Sequence, residues 1–436
     1  MSISRRQILI GLASLSFLTV LVLVFIMGLP WRWALQQRIA DLKARGEPTT
    51  MADLKPAAIP EADNGGPLLE AIWQDISGSD AFRHGGSFLR YERREDNVAV
   101  IRLRLGLLSP EALEKLDAAA LSQFHQQVDD VATLMKTHPD LLKRFDLALR
   151  KPHFQFKLDY SQPISRFYFP HLGNCRQTVN FLSDLSVYEL ALGKREEAQR
   201  CRLLMLRSPL PLDEPPHFLI NALVRVAISG IAMDRLAHEL PWLTDAELRQ
   251  LQAAAADLKP WSVAERALRV SERVFSLHAD FSSPDYSPFI GLGNAANWET
   301  RIKDGLFHNT AWIHADYLHT IDHLEAEIDG RKWGGPQSYF WDQNEASWSG
   351  VRRKLKDEIS QLNQFRLALE VESLKRVKGI YPVDLSGISL SHFDAEGKPM
   401  TYQSVNEGRG AVLEFTEKSY GRKHKIFLGE VPLQLR

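Results

Sequence analysis

Residues Ile8 to Leu29 form an apolar run without a charged side chain, preceded by Arg5 and Arg6 and followed by Trp31, Arg32 and Trp33. As an α-helix, about 22 residues at about 1.5 Å of rise reach about 33 Å, enough to cross a bilayer core of about 30 Å. The run therefore needs lipid around it, and the remainder of the chain folds as a body tied to a membrane. No small-x-small cleavage site occurs between the run and Pro30, so it reads as an uncleaved signal anchor. Arg32, Arg38, Lys43 and Arg45 compete with Arg5 and Arg6 under the positive-inside rule. The short head before a first hydrophobic segment favours a cytoplasmic N-terminus and an extracytoplasmic body.

The 436 residues leave material for two or three ordinary domains beyond the anchor. A net charge of -1, with Lys and Arg dispersed, gives no electrostatic reason to expect nucleic acid as a partner. With two cysteines the chain makes neither a disulfide framework nor a four-ligand zinc site. Residues 1–46 are expected to be the anchor and a helical stalk, with Leu35, Ile39 and Leu42 at helical spacing and a stop at Gly46 and Pro48. Residues 47–108 are a linker and an N-terminal helical and loop region, 109–346 a helical body, and 347–436 a long helix with a small β-rich unit.

In the body, Phe181, Leu185, Tyr188 and Leu192 form a stripe ended by Gly193, after which Ala198, Cys201 and Met205 share a face. Were these two helices antiparallel, Cys201 would lie opposite Ser186. Cys175 would then be about 16 Å away, beyond the roughly 7 Å that a disulfide spans, which predicts two separate buried thiols. Pro215 and Pro216 are expected to open a central, buried helix running to Leu240. Thr244 with Glu247, and Ser262 with Glu265, are capping boxes for the next two helices. Short strands are expected over 400–405, 411–415 and 425–428. The fold class is mainly α: an N-terminal transmembrane helix, stacked antiparallel helical hairpins and a small C-terminal antiparallel β unit.

The run from Arg150 through His153, Phe154, Phe156, Leu158 and Tyr160, then Pro170-His171-Leu172 before a long helix, resembles a group of uncharacterised, single-pass, mainly helical bacterial proteins. Asn64-Gly65-Gly66-Pro67-Leu68-Leu69 fits the same pattern. The resemblance implies the bacterial inner membrane as location, and no activity comes with it. The turn Leu192-Gly193-Lys194 with Ala198 after it is similar to a tetratricopeptide hairpin. Gly379-x-Tyr381-Pro382 and Asp394-x-x-Gly397-Lys398-Pro399-x-x-Tyr402 resemble the tail of type II secretion pseudopilins, which implies an accessory part of a secretion machine; the plainer reading of the same residues is a small antiparallel sheet packed on the last helix as a cap.

Chemistry-bearing patterns are sparse. At about 100° per residue Asp316, His319 and His323 share one arc of a helix, and His319 and His323 at i and i+4 have metal-ligand spacing. The bland alternative is a polar flank with Asp316 and His319 paired locally. Glu325 and Asp329 read as a solvated face. No G-x-S-x-G, Walker or dinucleotide-binding glycine motif occurs. No cofactor is implied. Together these features predict a membrane-anchored interaction scaffold with a protein partner. Its alternatives are a metal-dependent hydrolase using Asp316, His319 and His323, and an accessory component of a secretion machine.

Overall fold

The computed structural model describes residues 15–19, 33–85, 118–161, 169–260, 265–277, 311–328, 331–332, 334–335, 339–386, 388, 394–395, 397–416 and 423–429. In chain order the helices are α1 (33–44), α2 (Gly66–Ile76), a one-turn helix Asp80–Arg83, α3 (Ala118–Thr137), α4 (Leu141–Leu149), α5 (Pro170–Ala191), α6 (Arg195–Arg207), α7 (Leu219–Ala237), α8 (Asp245–Asp257), α9 (Glu265–Leu277), α10 (Ala311–Ile328) and α11 (Tyr339–Lys378). Strands β1 (Thr401–Val405), β2 (Gly410–Thr416) and β3 (Lys423–Gly429) close the chain. The fold is mainly helical, with one small antiparallel sheet at the C-terminal end.

Of the apolar run Ile8 to Leu29, only residues 15–19 are described; they are helical, and Leu15, Phe17 and Leu18 are exposed. Among the described residues no helix is long and apolar enough to cross a membrane. The rest of the expected anchor lies outside the described residues, as does Ser262 of the second capping box.

Two compact units interleave along the sequence: one takes Met1–Pro56, Asp159–Tyr168 and Ala264–Ser349, the other Ala57–Leu158, Phe169–Val263 and Gly350–Arg436. In the first, α1 ends where expected, at Gly46 with φ +70°, and Leu42 is fully buried. Its buried apolar residues include Met51, Leu268 and Val274 of α9, and Ile321 and Leu324 of α10.

In the second unit α2 buries Leu69, Ile72, Trp73 and Ile76, an i, i+3, i+4, i+7 stripe. The most enclosed helix is α5, buried at every residue from Phe181 to Glu189. The sequence points instead to the segment after Pro216 as the central helix. That helix, α7, begins only at Leu219 and leaves Ile220, Ala227 and Asp234 exposed. Residues 214 and 215 each precede a proline and are disfavoured in the helical region, and Phe218 is extended, at ψ 153°, immediately before the first helical residue. The α5–α6 hairpin turns where the sequence predicts, on Gly193 at φ +81°, with the Lys194 amide bonded to the Glu189 carbonyl at 2.9 Å. Thr244 and Glu247 form the expected reciprocal cap at the start of α8.

Two stretches that carry the bacterial resemblance are partners in space. The Asn64 Oδ1 accepts the Gly66 amide at 3.0 Å and the Gln155 amide at 2.8 Å, and the Gly65 amide reaches the His153 carbonyl at 2.8 Å. Glycine is required at 66 because a Cβ there would sit 2.4 Å from the Gln155 carbonyl oxygen. Gly66→Ala is expected to destabilise this unit by about 1–3 kcal/mol, read as a lowered midpoint in urea. An unchanged midpoint would mean that the extended segment 153–157 yields freely.

The sheet has the order β1-β2-β3, with Thr401 opposite Glu414 and Val412 opposite Phe427. It docks on α11 through Gln364, whose Nε2 donates to the Leu413 carbonyl at 2.9 Å. Tyr381 is fully buried and donates to Glu372 at 2.6 Å, while the Tyr402 hydroxyl donates to the Pro382 carbonyl at 2.6 Å. Both tyrosines of the tail motif therefore hold the sheet to its helix.

Candidate functional site

On α10, His319 and His323 are half-buried, and the Asp316 side chain lies outside the described residues. The carboxylates interleaved with these histidines are engaged elsewhere. Asp322 binds Arg38 of α1 at 2.8 Å, and Glu325 binds both Arg45, at 2.6 Å, and Arg273 of α9. Arg273 also reaches Glu47 at 3.0 Å and the Pro48 carbonyl at 3.2 Å. Glu325, expected on a solvated face, is 4% exposed, because Arg45 and Arg273 arrive from sequence-distant segments and replace its water. Among the described residues no three His, Cys, Asp or Glu side chains gather to hold a metal.

Cys175 and Cys201 are free and buried, as predicted. Burial pushes both thiols up, away from the reactive thiolate. Next to Cys201, Arg202 is almost wholly buried and donates to Glu239 at 2.5 Å, with Gln199 and Glu247 completing the cluster. Ser186 of α5 donates to the same Glu239 at 3.3 Å. These polar groups tie α5, α6 and α8 together.

His171, at the start of α5, is stacked on Phe156 at 4.5 Å and is 4% exposed. Its Nδ1 is buried without a hydrogen-bond partner among the described residues. Burial lowers its pKa to about 4. The unfolded chain thus takes up this proton near pH 6.5 and the folded one only near pH 4. Stability is full above pH 6.5 and is lost as pH falls from 6.5 toward 4, by at most about 3 kcal/mol. His171→Phe is expected to flatten the pH dependence of the urea midpoint across that window. An equally steep profile in the variant would assign the acid sensitivity to other groups.

Among the described residues two open concavities lie within the second unit. One, of about 680 Å³, is lined by polar side chains and glycines, among them Asp80, Arg83, His84, Asp130 and Arg176. The other, of about 640 Å³, lies between the C-terminal turn of α4, the face of α6 carrying Arg200, Leu203 and Arg207, the segment at Leu210, and the end of α8 with Ala254 and Leu258. Leu203, Leu210, Ala254 and Leu258 pack on the core with one side and remain only partly buried. This mixture of apolar floor and charged rim suits recognition of another molecule. Sequence reading missed it, since its walls come from segments more than a hundred residues apart, from Asp146 to Pro260. The one local signal was the pair of arginines flanking Leu203 and Leu204 at helical spacing. Compared with known proteins, the chain matches no family model, no curated protein and no solved structure.

Proposed function

We propose that this chain is a membrane-tethered helical scaffold that binds another protein. In this reading Ile8 to Leu29 cross the bacterial inner membrane once, the body lies outside the cytoplasm, and tetratricopeptide-like hairpins such as α5–α6 present the binding surface. The observation that carries it is the open groove against α6, whose leucines are half-covered by the core and whose other side faces outward. The buried ionisable groups support the same reading, because Arg202, Arg273 and Glu325 join helices to one another.

The test is photocrosslinking in the native envelope, with the crosslinker placed at Leu203 or at Ala254 of the full-length chain. A discrete adduct with a second protein from both positions is the expected result. Uncrosslinked chain at both positions would remove the scaffold reading. Protease added to spheroplasts tests the orientation: an extracytoplasmic body is digested, whereas a cytoplasmic one survives.

A further inference from the structure

The charges around the α6 groove are unbalanced. Asp146 is paired with Arg150 at 2.7 Å, and Asp213 is held at 2.8 Å by Arg225, an arginine it shares with Glu358. Arg207 gives its Nε to the carbonyl of Leu149, the last residue of α4, at 2.9 Å. That bond caps an orphan helix carbonyl and fixes the guanidinium on the rim without cancelling its charge. Neither Arg200 nor Lys259 has an ion-pair partner among the described residues, and Asp257 is the one groove carboxylate in the same condition. Three cations without a carboxylate partner among the described residues, Arg200, Arg207 and Lys259, thus line the groove with Asp257 and with Asp213, whose arginine is shared.

The rim is also built from beneath. The buried Arg225 holds the Lys259 carbonyl at 3.1 Å with one nitrogen, Asp213 with another and Glu358 with a third. It thereby fixes the chain at Lys259 and at Asp213, two residues of the groove lining. Leu206, Leu210 and Leu258 continue into a small void of about 20 Å³ that Arg225 and Glu358 also line.

We propose that this groove binds an acidic amphipathic helix of the partner protein, laid along α6; the proposal rests on the scaffold reading and names the chemistry of its partner. Arg200 and Arg207 are seven residues apart on one face of α6, about 10 Å along the axis, with Leu203 between them. A helix with carboxylates at i and i+7 and leucines at i+3 and i+4 repeats that spacing. Its acids meet the two arginines while its leucines cover Leu203, Leu210 and Leu258. The volume, about 640 Å³, accepts the few side chains of such a stripe.

The test uses the full-length chain in detergent and two fluorescent helical peptides, one with Glu at i and i+7 and Leu at i+3 and i+4, the other with Lys replacing Glu. The Glu peptide is expected to bind saturably in the micromolar range and to weaken as salt rises. The Lys peptide is expected to fail. Arg200→Glu with Lys259→Glu, two side chains without internal ion pairs, should weaken the Glu peptide at least tenfold and admit the Lys peptide. No binding of the Glu peptide, or equal binding by both peptides or by both proteins, overturns the proposal. Envelope crosslinking of the same double variant separates the two readings: an undiminished protein adduct keeps the scaffold and removes the groove, and no adduct even from the wild-type chain removes the scaffold itself.

Discussion

Glu325→Ala is expected to destabilise the unit containing α1, α9 and α10 by about 3–5 kcal/mol, the range for removing one partner of a buried ion pair. Arg273 has no exposed surface, and its NH1 lies against Glu325. Without that carboxylate, Arg273 keeps only Glu47 and the Pro48 carbonyl, both on its other terminal nitrogen. Arg45 at the same time loses its 2.6 Å contact. The stalk residues after α1 should then loosen before the rest of the chain. Limited trypsin digestion reads this directly: cleavage at Arg45 and Lys55 should accelerate in the variant, while sites in the second unit keep their rates. Unchanged cleavage at Arg45 would show that the burial of Leu42 and Met51 alone secures this segment.

Arg202→Met is expected to cost a similar 3–5 kcal/mol, because it leaves Glu239, 1% exposed, charged and without its main partner. The informative comparison is with Arg202→Met combined with Glu239→Leu. Replacing both members of a buried pair by apolar groups of similar size is often neutral or stabilising. The double variant should therefore recover most of the loss, with a coupling of several kcal/mol in a double-mutant cycle of urea midpoints. Additive losses would mean that Ser186, Gln199 and Glu247 depend on the charges for their own geometry. The two arginines make similar contacts but belong to different units, so each variant should alter one unfolding transition and spare the other.

What could be read from the chain was what neighbours in sequence decide. The helix α1 and its stop at Gly46, the α5–α6 turn on Gly193, the Thr244–Glu247 cap, the separation of Cys175 from Cys201 and the three C-terminal strands all depend on residues within one turn or one hairpin. The enclosure of α5 was hidden because its buried side chains include Ser183, Asp184, Ser186 and Glu189. A hydrophobic stripe cannot register a polar group buried against a sequence-distant partner, as Ser186 is against Glu239. Glu325 was misread for the same reason, since Arg45 is 280 positions away. The α6 groove was illegible because no local pattern announces which helix ends will meet at Leu203. Asn64 was legible only as part of a resemblance; its task of holding the Gln155 backbone appears once the two segments are side by side.

The interleaving of the two units has a temporal side. Glu47 and Pro48 are bonded to Arg273, which is synthesised 226 positions after Glu47. At about 5–20 residues per second, Glu47 emerges roughly 10–45 seconds before its partner exists. Through that interval Leu42, Met51 and the charges of Arg38 and Arg45 have no folded surface to rest on, while most of the second unit's helices from α2 to α8 are already being made. Residues 33–56 must stay unpaired until α9 and α10 arrive, which makes this a segment in need of protection during biogenesis.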